Sequence, residues 1–266
     1  MVPETDAEQP RRPELPGMSF FQHLEELRRR IIYSLLAVAV AFLAGWWKAE
    51  RIFAFMQAPI ITALHAHKLD EKLVYTNPTD PFNMYMKVGL IAGLFIASPF
   101  ILYQVWAFIA PGLYRNERRY ILPFMVSTVG LFLAGGAFGY KMVYPAALDF
   151  LIGYGAQFQP MITIGEYTSL FLTIIVGMGI VFEMPILIFF LSLFGIVSAG
   201  WMWRNLRYSI LVIFIIAAIV TPTTDILNMC IFAAPMVALY VVSIAIAWLV
   251  HPKQRKARAA KAKAQA

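Results

Sequence analysis

Two carboxylates in this 266-residue chain stand among arginines. Glu26 lies in "HLEELRRR" (residues 23–30), just before an apolar stretch, and Glu117 in "APGLYRNERRY" (residues 110–120), between two apolar stretches. A carboxylate at a membrane surface, held by neighbouring arginines, is suited to capture a cationic ligand. Arginine fits best, because a guanidinium engages a carboxylate through two parallel hydrogen bonds. Each charge-assisted bond contributes about 1.5–3 kcal/mol, so two such pairs discriminate strongly against lysine. A plainer reading also exists. Glu25 with Arg29 and Glu26 with Arg30 have i,i+4 helix spacing, worth only about 0.2–0.5 kcal/mol per pair, and Glu117 can compensate charge in a basic turn. Both readings stand at this level.

Two further acids interrupt apolar sequence. Glu183 sits in "GIVFEMPIL", where a charged group at mid-span costs about 2.5–3.5 kcal/mol on insertion scales and usually marks function. The alternative is a neutral acid bonded to a Ser or Thr of a neighbouring helix. Asp225 ends "TPTTD" (residues 221–225) and suits either an N-cap for the next helix or a contact site. The sequence holds no GxxxxGK[ST] loop, no HExxH motif and no convincing nucleophile–base pair, so no ATPase or hydrolase chemistry is expected. His65 and His67 alone do not make a metal site, and no metal or other cofactor is expected. A single cysteine, Cys230, excludes a disulfide framework within the chain.

The elements that must position these groups are membrane helices. Sixty per cent of the residues are hydrophobic, 14% are charged and the mean hydropathy is +0.68. A soluble domain carries about 25% charge. A spanning helix needs about 20 apolar residues, which residues 31–47, 88–110, 120–139 and 170–197 supply. The region 208–250 is broken by "TPTTD" into two more spans, both expected to be short, so the fold class is all-α with six transmembrane helices. Residues 1–17 form a polar tail expected to be disordered and not a cleaved secretory signal. Residues 18–250 form the membrane domain and 251–266 a basic tail. Within the membrane domain, residues 19–30 read as an amphipathic helix, with Phe20, Leu24, Leu27 and Ile31 as its apolar stripe on the bilayer and its polar face toward the cytosol. Ser19 and Gln22 make a capping box at its start.

Six spans put both termini on one side, and the basic residues choose the side. Arg28–Arg30, Arg115, Arg118, Arg119, Arg204, Arg207 and the Lys/Arg-rich tail all fall on the termini's side, which is therefore expected to be cytoplasmic. Residues 48–87 and 140–166 read as the opposite loops. Trp46, Trp47, Trp106, Tyr144, Trp201 and Trp248 lie near span ends, as interfacial aromatics do. Pro99, Pro123, Pro185 and Pro235 are expected to bend their helices, giving a curved scaffold, and Gly135 with Gly139 in span three permits close helix contact.

"HLEELRRR", "SPFILYQVWAFIAPGLYRNERR", "FEMP" and the acid after "TP" resemble, in order and spacing over roughly residues 18–250, the TatC family, the multispanning receptor of the twin-arginine protein translocase. The resemblance implies a receptor for the consecutive arginines in the signal peptides of folded export cargo. Glu26 and Glu117 match the family's reading glutamates, and the signal-peptide site is expected to comprise Glu26, Glu117, Arg28, Arg115, Arg118 and Phe108. Glu25 falls on a variable position. Glu183 matches a glutamate facing a concave groove that contacts partner helices, and Asp225, Thr221 and Asn228 belong to the same expected contact region. There the family often has "TPPD" followed closely by a glutamine, and this chain has "TPTTD", then Asn228 and Met229. Implied partners are single-span subunits of the TatA and TatB type, the bilayer and further copies in a multi-subunit complex, with no nucleic acid. The implied location is the bacterial inner membrane, with export driven by the proton gradient. The rival function is a proton- or cation-coupled secondary transporter with Glu183 as its coupling carboxylate, and a purely structural membrane subunit is a third reading.

Overall fold

The computed structural model describes residues 20–70, 72–109, 121–155, 157–193, 195–220 and 226–265. Helix α1 (Phe20–Trp47) runs without a break from the arginine-rich segment through the first apolar stretch. Two short helices, α2 (Ala49–Met56) and α3 (Ala58–Ala66), follow, then α4 (Asp80–Ile109). Next come α5 (Ile121–Phe138), a π-helical turn (Gly139–Val143) and α6 (Tyr144–Tyr154). Helices α7 (Ile164–Phe182) and α8 (Met184–Leu193) are separated at Glu183; α9 (Ala199–Arg204), α10 (Leu206–Val220) and α11 (Ile226–Gln265) complete the order. Among the described residues five apolar segments have spanning length, Phe21–Trp47, Asp80–Phe108, Leu122–Tyr154, Ile164–Leu193 and Met229–Leu249, and Leu206–Ile219 is a shorter sixth, so of the two spans expected to be short only the fifth is.

Backbone contact between helices depends on glycine. A Cβ on Gly93 would lie 2.7 Å from the Phe42 nitrogen, and one on Gly45 2.8 Å from the Gly89 carbonyl. Helices α1 and α4 therefore touch main chain to main chain, antiparallel. The same device joins α5 to α7, where a Cβ on Gly135 would meet the Met178 carbonyl at 2.5 Å. Helix α8 packs along α11, and α10 lies beside α11. The π turn directly precedes Pro145 at the start of α6. A wide turn of this kind accommodates the ladder disruption that a proline, lacking an N–H, imposes.

The main core runs through the bundle, from Met56 and Ile60 at one end to Met202 and Ala247 at the other. Tyr144, Tyr167, Ile174 and Phe232 are buried there, and Met56, Ile60 and Leu64 of α2 and α3 fold over them. Polar bonds fix this cap. Tyr167 donates to the Met56 carbonyl and Tyr140 to the Phe55 carbonyl at 2.8 Å. An isolated parallel bridge joins Val74 to Thr163, and the Thr163 side chain caps α7 by accepting from the Glu166 N–H. A smaller aromatic core near the N-terminal end contains Trp106, Phe124, Phe189 and Phe190.

Several expectations change. Residues 48–87 are not a plain loop, because α2 and α3 lie within them, and the helix after α5 continues to Tyr154 where a loop was expected. Trp46, Trp47, Trp201 and Trp248 are exposed, as interfacial aromatics should be, but Trp106 and Tyr144 are buried. Trp106 instead donates its indole N–H to Thr128 at 3.0 Å inside the protein. His67 accepts or donates a hydrogen bond with Asp149 at 2.8 Å, tying α3 to α6. Among the described residues no group of three metal-ligating side chains occurs. The Ser19 end of the expected capping box and residues 1–17 lie outside the described residues.

Candidate functional site

Helix α1 does not turn its whole polar face to solvent. Leu24 and Ile31 of the expected apolar stripe are exposed, whereas Glu26 is buried at 9% exposure. The antiparallel register set by Gly45 against Gly89 carries down the helix pair and places Arg30 opposite Gln104 of α4. Glu26 Oε1 accepts from Arg30 Nη2 at 3.0 Å, and Arg30 Nη1 donates to Gln104 Oε1 at 2.9 Å. The Oε2 of Glu26 and the Nε of Arg30 are buried with no partner. Of the two expected i,i+4 pairs, the Glu26–Arg30 ion pair forms. Glu25 and Arg29 are both exposed and form no ion pair with each other.

A cleft of about 580 Å³ opens beside this group, lined by Gln22, Glu25, Glu26, Arg28, Arg29 and Tyr33 among others. Phe108, near the end of α4, stacks on His23 of α1 with ring centroids 4.4 Å apart and planes 19° apart. The structure thus brings Glu26, Arg28 and Phe108 to one end of the α1–α4 pair. Glu117, Arg115 and Arg118 lie outside the described residues. Chemically, a buried carboxylate with an unpaired oxygen, on a residue that lines a polar cleft, is an acceptor without its donor. An unpaired buried acceptor is costly, and a cationic ligand relieves that cost through a short charge-assisted bond.

The second group lies within the apolar segment Ile164–Leu193. Glu183 interrupts the long helical segment, its N–H bonding back to Ile180 and its carbonyl accepting from Ile186 and Leu187. Pro185 in the first turn of α8 lacks an N–H of its own, which favours the break at this point. Glu183 Oε1 is buried and unpartnered, so the expected bond to a neighbouring Ser or Thr is absent there. Asp225 and Thr221 lie outside the described residues. Asn228 falls in the first turn of α11.

Sequence reasoning missed Gln104, whose importance rests on a cross-helix partner 74 positions away. A signal did exist: Gly89 and Gly93 have the GxxxG spacing that brings a second helix close.

A family profile described as "Sec-independent protein translocase protein (TatC)" matches residues 22–235. The chain belongs to the TatC family. The TatC protein of Koribacter versatilis is 72% identical over 244 residues, 92% of this chain and 90% of the relative. That of Carboxydothermus hydrogenoformans is 38% identical over 238 residues, covering 89% and 96% of the two chains. A crystal structure described as the twin arginine translocase receptor TatC superposes with a TM-score of 0.77 at 34% identity, covering 86% of this chain and 99% of that one. As a TatC-family chain the molecule is a multi-pass membrane subunit of a protein translocase, a transport component and not an enzyme. The matched residues contain Glu26, Phe108, Gln104 and Glu183.

Proposed function

We propose that this TatC-family chain is the signal-reading subunit of its translocase, and that Glu26, with Glu117, binds the consecutive arginines of a signal peptide. The observation that carries this reading is the unpaired, buried Oε2 of Glu26, a residue that lines a polar cleft. Arg28 lines the cleft with Glu26, Arg115 and Arg118 flank Glu117 in the sequence, and Phe108, stacked on His23, offers an apolar platform. The receptor description of the similar crystal structure agrees with this assignment.

The basic residues flanking α1, α10 and the C-terminal tail place both termini in the cytoplasm of a bacterial inner membrane, so the cleft meets cargo before export. Glu183, the α7–α8 break and the region of Thr221, Asp225 and Asn228 are the contact surface for single-span partner subunits. Those partners and further copies of this chain complete an export complex driven by the proton gradient. The folded-cargo signal peptide is the ligand; this chain alone moves no solute.

Binding of a labelled twin-arginine signal peptide to the detergent-solubilised chain tests the reading. The peptide binds the parent chain, its twin-lysine version binds more weakly, and Glu26→Gln or Glu117→Gln weakens the arginine peptide. Solute uptake by this chain alone in liposomes, lost on Glu183→Gln, would instead support the secondary transporter.

A further inference from the structure

The contacts of Arg30 are incomplete in an informative way. Its guanidinium can grip a carboxylate at two points, through Nε and Nη2 on the two oxygens. Here it makes one contact, Nη2 to Glu26 Oε1 at 3.0 Å, while Nε and Oε2 remain buried and unpaired. Both atoms needed for the second bond are present on the same two side chains. The remaining Arg30 contact explains why the second bond is not made. Nη1 donates to Gln104 Oε1 at 2.9 Å, and Gln104 is itself 5% exposed and carried by α4. That bond fixes the plane of the guanidinium from the far side. The glycine contacts of α1 with α4 keep Gln104 from following if Arg30 rotates.

We infer that Gln104 is a positioning residue that holds Arg30 away from a two-point grip on Glu26, leaving the buried Oε2 unpaired as an acceptor for a ligand guanidinium. The inference rests on the signal-reading function proposed above and adds a specificity element to it. Without the Gln104 acceptor, Arg30 is free to rotate and close the fork on Glu26. The chain's own arginine then occupies the carboxylate that the ligand's arginine needs. Arg30 is thus a built-in competitor, and the amide at position 104 restrains it.

The test uses the full chain in detergent and the twin-arginine signal peptide as probe. Gln104→Met keeps side-chain length and removes the acceptor. It is expected to weaken arginine-peptide binding about tenfold, the factor associated with one lost hydrogen bond, with less effect on the twin-lysine peptide. The double variant Gln104→Met/Arg30→Lys is expected to recover much of the affinity, because an ammonium cannot close a two-point fork. That recovery separates competition from mere damage, since a structural defect at position 104 is not repaired by a second substitution. Unchanged affinity in a Gln104→Met chain whose parent binds selectively overturns this inference alone. A loss that Arg30→Lys does not repair also overturns it. A parent chain that does not distinguish the two peptides overturns the function reading and this inference with it.

Discussion

Glu26 and Arg30 are one helical turn apart, and the pairing visible in the sequence forms in the structure. What the sequence did not disclose is where that pair points. Hydropathy alone assigns a polar face to water, but Gln104 offers Arg30 a partner inside the protein, and Glu26 is drawn in with it. Trp106 went astray for the same reason. Its indole N–H found Thr128, so an aromatic that suits an interface became part of a core. Glu183 was legible because an acid inside an apolar run stands out against its neighbours; its Oε1 is buried and unpartnered, and the partner-contact role is the one proposed above. Replacing Glu183 by Gln keeps the shape and removes the capacity for charge. Co-purification of single-span partner subunits is expected to fall about 10- to 100-fold, the factor for one charge-assisted bond, while signal-peptide affinity stays at the parent value. Retained partner with lost peptide binding would reverse the two assignments.

The helices themselves were mostly legible, since apolar runs of spanning length mark them directly. Their ends were not. Tyr144, Ala147, Leu148 and Ile152 are buried along one face of α6, a helical repeat hidden by the modest hydropathy of residues 140–154. Pairings between helices were legible only through glycine. Gly135 lies against α7 as its spacing implied, while Gly45, Gly89 and Gly93 build the α1–α4 contact on which the Arg30–Gln104 bond depends. Gly93→Ala therefore places a methyl within 2.7 Å of the Phe42 backbone, and the helix pair must separate. A loss of about 1–3 kcal/mol is expected for such overpacking, read as lower thermal stability with weaker peptide binding. Gly130 has nothing within 4 Å of an added Cβ, so Gly130→Ala should leave both unchanged. Equal behaviour of the two variants would remove the α1–α4 contact from the account.

Across the whole molecule, five long spans and one short span alternate through the membrane, and α2 and α3 seal the end opposite the arginines. At 15 residues, α10 reaches only about 22 Å against a hydrocarbon core of about 30 Å, a mismatch that is met by local thinning, snorkelling of flanking residues or oligomerisation. The proposed orientation has a direct check. In the Cys230→Ser background, a cysteine at Arg207 should react with an impermeant thiol reagent only from the cytoplasmic side, and one at His65 only from the other. The opposite labelling would invert the molecule and remove the cleft from the cargo's side. The central claim, that Glu26 reads arginine, is tested most directly by comparing twin-arginine and twin-lysine signal peptides on the purified chain and on Glu26→Gln. Selective binding of the arginine peptide, weakened about 10- to 100-fold by loss of the carboxylate charge, is the expected result. Equal binding of both peptides, or an unaffected Glu26→Gln chain, would contradict it.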